Sequence, residues 1–255
     1  MTTVVSVHSF RGGTGKSNTT SNVAGQLAAQ GFRVGVIDTD IQSPGIHVLF
    51  GFSEDDLGNT LNDYLWGKIA IQEAAHDITD VIRSSTEVAE GGALFLVPSS
   101  MKTADIARVL REGYDVGTLN DGFRELSQAL NLDYLLIDTH PGLNEETLLS
   151  ITISDVLLLI LRPDRQDFQG TAVTVNVARK LGVPAMYLVL NKVPSGVPLD
   201  NLRQQMADAY DAETAALLPL SEEVVQNASE GLFSLTSPSH EWSAQIRQIA
   251  QRIQG

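Results

Sequence analysis

The chain of 255 residues contains no cysteine. This absence excludes disulfides, thiolate metal sites, iron–sulfur ligation by cysteine and cysteine nucleophiles. Basic residues are also scarce, since 17 Lys and Arg stand against 31 Asp and Glu, and the formal net charge is −14. An acidic chain repels nucleic acid and anionic membranes at long range, so DNA is a possible but disfavoured partner.

Long hydrophobic stretches are missing as well. The longest apolar run, Val156–Leu161, is far too short to span a membrane. The first residues, MTTVVSVHSF, lack the basic and apolar segments of a signal peptide, so we expect a cytoplasmic protein without an integral membrane segment. Because 43% apolar and 19% charged residues are globular values and no composition break divides the chain, we expect one domain over residues 1–255.

Short apolar runs alternate with helical patterns along the chain. Nearly continuous apolar runs are typical of parallel strands buried on both faces, and their alternation with helices predicts an α/β fold with a mostly parallel sheet. The predicted strands are Thr3–Val7, Arg33–Ile37, Ala93–Val97, Asp133–Ile137, Val156–Leu161 and Ala185–Leu190. The predicted helices are Lys16–Gln30, Thr103–Arg111, Asp121–Leu130, Phe168–Leu181, Leu199–Ala209 and Glu241–Ile253.

The segment Arg11–Ser17 reads RGGTGKS and lies between the first predicted strand and the first predicted helix. This is the context of a phosphate-binding loop, in which glycines let backbone N–H groups turn toward phosphate oxygens at a helix N-terminus. Lys16 should reach the β- and γ-phosphates, and Ser17 should bind Mg²⁺. Phe10 stands where the strict pattern has its first glycine. The expected nucleotide-binding residues here are Gly12, Gly13, Thr14, Gly15, Lys16, Ser17 and Asn18.

This loop resembles the deviant Walker A box of the ParA/MinD ATPases. Four later segments resemble further motifs of that family, in the family's order, so that the resemblance runs from about residue 3 to 235. They are the DxD segment at Asp38–Asp40, the Walker B strand and switch at Leu135–Gly142, and the base-side strand at Leu188–Lys192. The last is the purine-side loop and helix over 218–231, with Leu218, Pro219, Leu220, Val225, Ala228 and Ser229.

The resemblance implies a three-layer P-loop NTPase with a doubly wound sheet. It also implies binding of ATP and Mg²⁺, a sandwich homodimer when ATP is bound, and slow hydrolysis. Such a switch positions or partitions a cargo, for example a chromosome, a plasmid, or division or organelle machinery. It works with an activating or cargo protein. The alternative function is a metabolic ATP-dependent ligase or kinase on the same fold, resembling dethiobiotin synthetase.

Three aspartates are candidates for the metal and the attacking water. Asp138 ends an apolar strand, where a buried carboxylate needs a cation such as Mg²⁺. Asp38 and Asp40 stand two apart at another strand end, and we expect them to have different roles. The resemblance assigns the water to Asp40 and a place near the metal to Asp38. Capping of the following turn is the alternative for either.

The base preference follows from the segment after the sixth predicted strand. Guanine-reading proteins with an Asn-Lys-x-Asp motif need its Asp, and Pro194 stands at that place, so ATP is favoured. Asn191 is a candidate to hydrogen-bond the adenine, or else a strand-end cap. The resemblance puts Pro219 and Leu220 beside the purine.

Arg11 stands where the family has its signature Lys, which contacts the nucleotide of the opposite subunit. Arg keeps the positive charge and adds a planar fork suited to phosphate. The resemblance therefore implies that Arg11 is catalytic together with Lys16 and Asp40, whereas a solvated loop Arg is the alternative. His140 departs from the family too, because Pro is usual there, and we interpret it as a local packing variant. The other histidines show no metal spacing.

Two features lie near the C-terminal end of the sequence. Trp242, Ile246, Ile249 and Ile253 fall on one helical face, which predicts packing onto the domain rather than peripheral membrane binding. From Asp200 to Glu241, eight acidic residues accompany Arg203 alone among Lys and Arg. This stretch is either a solvated face or a docking face for a basic partner.

Overall fold

The structure, a computed structural model, describes residues 1–227 and 230–255. Strands β1–β8 are, in order, Thr3–His8, Arg33–Asp38, His76–Asp77, Ala93–Val97, Tyr134–Asp138, Val156–Leu161, Ala185–Val193 and Glu213–Pro219. Helices α1–α12 are Lys16–Ala29, Ile46–Leu49, Leu61–Leu65, Thr79–Arg83, Thr103–Glu112, Val116–Ala129, Glu145–Ile153, Arg165–Leu181, Leu199–Tyr210, Glu222–Gln226, Phe233–Thr236 and Glu241–Gln254. Two short 3-10 helices are Glu54–Asp56 and Ile71–Ala74.

The eight strands form one sheet in the order β3-β4-β2-β5-β1-β6-β7-β8. All neighbouring strands pair in parallel except β3, which adds two residues antiparallel to β4. After β1 the chain forms β2, β3 and β4 on one side, returns to place β5 between β2 and β1, and then forms β6, β7 and β8 on the other side, which is the doubly wound arrangement. The predicted fold class is therefore confirmed.

Strand β6 shows why the sheet is buried on both sides. Its six residues, VLLLIL, are all buried. Val156, Leu158 and Ile160 pack into the core on the side of α1 and α12. Leu157 and Leu159 pack on the opposite side, with α8 and α9. Burial of each such side chain is worth roughly 1.5–3 kcal/mol, so this alternation holds a helical layer on each face.

The C-terminal helix packs as its spacing predicts. Trp242, Ile246, Ile249 and Ile253 of α12 are buried in the same core as α1. Within residues 1–227 and 230–255, no helix combines the length and apolar character that a membrane span requires.

Several elements differ from the predictions. β8 was not predicted, because ETAALLP is poor in β-branched residues and occupies the sheet edge beyond β7. α6 begins at Val116 rather than Asp121, since the Asp115 side chain accepts a hydrogen bond from the Gly117 N–H. α8 begins at Arg165 rather than Phe168 because Asp164 caps it. α7 was missed altogether, and Asn144 caps its first turn.

Candidate nucleotide site

The loop between β1 and α1 has a backbone that requires glycine. Gly13 has φ 76° and Gly15 has φ 91°, a left-handed conformation that other residues adopt at a cost. A Cβ on Gly15 would also overlap the side-chain amide of Asn191. Gly15 precedes α1 and offers no side-chain cap, so the first N–H groups of that helix remain available to an anion.

A buried ion pair lies at the head of α1. Lys16 Nζ is 3.1 Å from Asp138 Oδ1, and the two residues are only 7% and 1% exposed. Thr20 Oγ1 lies 3.1 Å from the same carboxylate oxygen, so Asp138 has both a cation and a hydroxyl beside it. A buried charge is tolerated only with such partners. Ser17 is half-buried in the first turn of the same helix.

Asp38 lies directly beside Asp138 in the sheet. The two residues are in register at the carboxyl ends of β2 and β5. Asp38 is fully buried, and its carboxyl oxygens accept hydrogen bonds from the Asp40 N–H at 3.0 Å and the Gly45 N–H at 3.1 Å. Burial, and then the neighbouring charge of Asp138, raise the pKa of Asp38 to about 8. A cation near this carboxylate pair would favour its ionised form.

Asp40 lies beyond the end of β2, which ends at Asp38. The two aspartates therefore do not share one strand, and Asp40 belongs to the turn that follows β2. Asp40 Oδ1 accepts hydrogen bonds from Ser43 Oγ at 2.9 Å and from the Ser43 N–H at 3.2 Å, so it does cap that turn. His140 Nε2 also lies 3.8 Å from the same oxygen, which brings Asp40 against the segment that follows Asp138.

Arg11 contacts the first turn of α8 in its own chain. Its guanidinium donates a hydrogen bond to Gln166 Oε1 and lies 3.8 Å from Asp167 Oδ1. Arg162 holds the same Asp167 more closely, with contacts of 3.0 and 3.1 Å. The Arg11 side chain stays 41% exposed. It is therefore a loop residue with one intrachain partner helix and an open side.

The base-side strand supports the phosphate loop directly. Asn191 Nδ2 donates to the Thr14 carbonyl at 2.7 Å, and Asn191 Oδ1 accepts from the Lys192 N–H at 2.8 Å. Lys192 Nζ donates to the Gly13 carbonyl at 2.9 Å. The alternative role of Asn191, a local backbone contact at the strand end, is thus present. Thr14 is the one acceptor of this amide among residues 1–227 and 230–255, so its second N–H is available to a base.

The residues predicted beside the base do come together. A cavity of about 200 Å³ is lined by Gly15, Asn18, Asn191, Pro219 and Leu220. Lys192 and Val225, from the predicted base-side strand and purine-side segment, line it too. Ser221, Val224 and Trp242 complete its wall and were not predicted, because they depend on how α10 and α12 dock. Ala228 and Ser229 of the predicted purine-side segment lie outside the described residues.

His8 was not among the predicted site residues, but it lies beside Thr139, the residue that follows Asp138. It is fully buried at the end of β1, with Nδ1 2.8 Å from Thr139 Oγ1. Because the Thr139 hydroxyl lies 3.0 Å from the Val7 carbonyl, which can only accept, His8 Nδ1 is the donor to Thr139. Burial lowers the pKa of His8 to about 3, so the imidazole is neutral. No local pattern in the sequence indicated this contact.

The arrangement fits a nucleoside triphosphate with Mg²⁺. Among residues 1–227 and 230–255, the buried Thr14 hydroxyl has no hydrogen-bond partner, and a Cβ on Gly13 would meet open space. The loop therefore has room for a ligand and a hydroxyl that is free to bind it. A Ser hydroxyl with carboxylates, as at Ser17, Asp138 and Asp38, is the oxygen donor set that Mg²⁺ prefers. Their individual roles stay predictions.

Comparison with known proteins gives relatives that match most of this chain. An ATP-binding protein of Methanocaldococcus jannaschii is 26% identical over 195 residues, which is 76% of this chain and 65% of that protein. An iron–sulfur cluster carrier protein of Clostridium perfringens is 30% identical over 190 residues, covering 74% of this chain and 62% of that protein. The chain thus spans slightly less than two thirds of the length of these relatives.

Solved structures share the fold. The septum site-determining protein MinD of Pyrococcus horikoshii, complexed with Mg-ADP, superimposes with a TM-score of 0.81 at 20% identity and covers 99% of this chain and 96% of its own. A plasmid partition protein of Borrelia burgdorferi gives 0.70 at 15% identity, with 99% and 98% covered. The ParA family model, described as NUBPL iron-transfer P-loop NTPase, matches residues 1–254. The chain therefore belongs to the ParA family of P-loop NTPases.

Proposed function

We propose that this protein binds ATP with Mg²⁺, hydrolyses it slowly, and uses ATP-dependent homodimerisation as a switch that positions or partitions a cargo. The observation that carries the proposal is the buried Lys16–Asp138 pair at the head of α1, with Asp38 beside it. Apolar residues would stabilise the fold at least as well as this buried lysine and its two carboxylates, so packing alone does not explain them. They suit a triphosphate and its cation.

Each residue of the site has a proposed task. Lys16 and the N–H groups of Gly12–Ser17 bind the phosphates, and Ser17 and Asp138 hold Mg²⁺, with Asp38 near it. The bound cation neutralises charge on the phosphate oxygens. Asn191 and the cavity beside Pro219 and Leu220 hold the base. ATP is favoured over GTP because Pro194 replaces the aspartate that would bind guanine.

Hydrolysis in this proposal depends on Asp40 and Arg11. Asp40 lies at the turn after β2, beside the segment that follows Asp138, and orients the attacking water. Arg11 contacts the phosphates of the opposite subunit, which requires it to leave Gln166. Its 41% exposure and its single partner helix make that movement feasible. Cations supplied across an interface can raise phosphoryl-transfer rates by ~10³–10⁵ where this has been established.

The cargo-positioning role draws on relatives. A flagellum site-determining protein of Helicobacter pylori is 27% identical over 192 residues. A MinC:MinD cell division protein complex of Aquifex aeolicus shares the fold, with a TM-score of 0.81. We propose by analogy that this protein works in the cytoplasm as a single domain with an activating or cargo protein.

Several relatives are named iron–sulfur cluster carrier proteins, but we do not propose cluster transfer for this chain. Clusters are held by cysteine thiolates in most proteins, and these 255 residues contain none. A metabolic ligase or kinase on the same fold remains the second candidate. Such an enzyme would need an acceptor substrate before it consumed ATP.

Phosphate release at several protein concentrations tests the proposal. A dimerising switch should hydrolyse ATP without any second substrate, and its rate per protein molecule should rise with protein concentration until dimers predominate. Absence of phosphate release at every concentration would favour the ligase or kinase. A constant rate per molecule would contradict the dimer.

A further inference from the structure

A surface groove of about 580 Å³ lies beside the nucleotide site, between the loop that follows β7 and the loop that follows β8. We call it the acidic groove and define it by Val197, Leu199, Leu220, Glu222, Glu223 and Glu241. The groove borders the base cavity, with which it shares Pro219, Leu220 and Ser221, and extends beyond it along the loop that follows β7.

The floor of the acidic groove is apolar and open to solvent. Leu199 is 43% exposed and Leu220 is 55% exposed. An adjoining cavity shares Leu220 and Glu222 with the groove and adds Val225, which is 65% exposed. Single exposed apolar residues are ordinary, but several that line adjoining cavities with polar groups at the rim are typical of an interaction site.

The rim carries negative charge. Glu222, Glu223 and Glu241 line it, and no Lys or Arg does so among residues 1–227 and 230–255. Over the same described ranges, neither Glu222 nor Glu241 makes an ion pair, and the partner of Glu223 is His240, at 3.9 Å. The Ser221 hydroxyl donates to Glu223 at 2.7 Å and lowers its pKa, so this carboxylate stays charged.

We propose that the acidic groove binds a basic, amphipathic segment of a partner protein. Apolar side chains of that segment would cover Leu199 and Leu220, while Lys or Arg side chains would meet the three glutamates. This is the recognition of an amphipathic helix by an apolar groove, with charge complementarity at the rim. It selects the docking interpretation of the acidic stretch from Asp200 to Glu241.

The negative charge of the groove argues against nucleic acid and anionic lipid as its ligands. Nucleic acid and anionic lipid headgroups would be repelled by the glutamates. The proposal does not depend on the proposed ATPase function, because the residues that define the groove include none of those proposed to bind phosphate or Mg²⁺.

A fluorescent reporter can be placed in the groove because the chain has no cysteine of its own. Ser195→Cys, at an exposed groove position, carries an environment-sensitive dye, and Asn176→Cys on α8 is the matched control site. The probe is a synthetic peptide of about 14 leucines and lysines with leucine at helical spacing. A peptide of the same composition in scrambled order is the control for charge alone.

We expect the dye at position 195, and not at 176, to respond to the amphipathic peptide, with a Kd at least about tenfold lower than for the scrambled one. Glu222→Lys combined with Glu241→Lys should weaken binding at least about tenfold. Glu87→Lys combined with Glu90→Lys, which changes the net charge equally at exposed positions far along the sequence, should not. No response at 195, equal binding of both peptides, or equal loss in both double variants would overturn the proposal.

Discussion

Asp38 and Asp138 lie in register at the carboxyl ends of β2 and β5, both buried. Two carboxylates so close cannot both ionise without a cation. Lys16 supplies one charge, at 3.1 Å from Asp138, and leaves Asp38 with a pKa raised to about 8 by burial and by Asp138. This relationship links the stability of the chain to pH and to a bound cation.

The first prediction concerns Asp38 and pH, without nucleotide or Mg²⁺. An unfolded Asp has a pKa of about 3.9, so between that value and about 8 the folded chain binds a proton that the unfolded chain does not. This proton makes its full contribution to the free energy of unfolding below about pH 4. The contribution falls as the pH rises and is lost once the pH passes about 8. Asp38→Asn, which loses the Gly45 hydrogen bond at a cost of about 1 kcal/mol, should be less stable than the parent at pH 5. The difference in stability between the parent and Asp38→Asn should shrink or reverse by pH 8.5.

Thermal unfolding at both pH values measures this difference. Asp155→Asn is the matched control, since it also removes a carboxylate that accepts a backbone N–H, but on the surface. If the melting temperatures of the parent and Asp38→Asn differ by the same amount at both pH values, Asp38 is not protonated in the folded chain.

Lys16→Ala should weaken ATP binding by about 100-fold or more, because it removes the charged donor to the phosphates. The change also leaves Asp138 buried without its cation, at a cost of about 3–5 kcal/mol, so circular dichroism must first show that the variant is folded. Calorimetric titration with ATP and Mg²⁺ gives the affinity. Lys180→Ala, at an exposed position near the end of α8, should bind normally. Unchanged affinity in a folded Lys16→Ala would remove the phosphate-site assignment.

Asp40→Ala should bind ATP within about threefold of the parent but hydrolyse it ~10²–10⁴ times more slowly, since a group that orients water acts in the transition state. Ser43→Ala is the control, because it breaks the turn hydrogen bond of Asp40 at 2.9 Å and keeps the carboxylate. Equal slowing by both substitutions would mean that Asp40 only caps the turn. A parental rate in Asp40→Ala would assign the water to another group.

Arg11→Ala should leave ATP binding by the monomer nearly intact and abolish most hydrolysis, while Arg11→Lys should retain hydrolysis because the positive charge is kept. Gln166→Ala removes the intrachain partner of Arg11 and should not slow hydrolysis. Single-turnover phosphate release distinguishes these variants. If Arg11→Ala hydrolyses like the parent, Arg11 is a solvated loop residue.

The sequence predicted those parts of the site that lie within one motif. RGGTGKS indicated the loop, and an apolar run that ends in Asp indicated both Asp38 and Asp138. Contacts between distant segments could not be read in this way. His8 meets Thr139 across 131 positions and Arg11 meets Gln166 across 155, and both depend on the order of strands in the sheet. β8 was missed for a local reason, because alanines at a sheet edge carry little strand preference.

Sedimentation velocity of Asp40→Ala tests the central claim most directly, because slow hydrolysis should hold the protein in its ATP state. With ATP and Mg²⁺ we predict the mass of a dimer, and with ADP or without nucleotide the mass of a monomer. Adding Arg11→Ala should reduce the dimer fraction in ATP, and Lys16→Ala should prevent dimerisation. The same mass under all these conditions would contradict the account of this protein as an ATP-driven dimer switch.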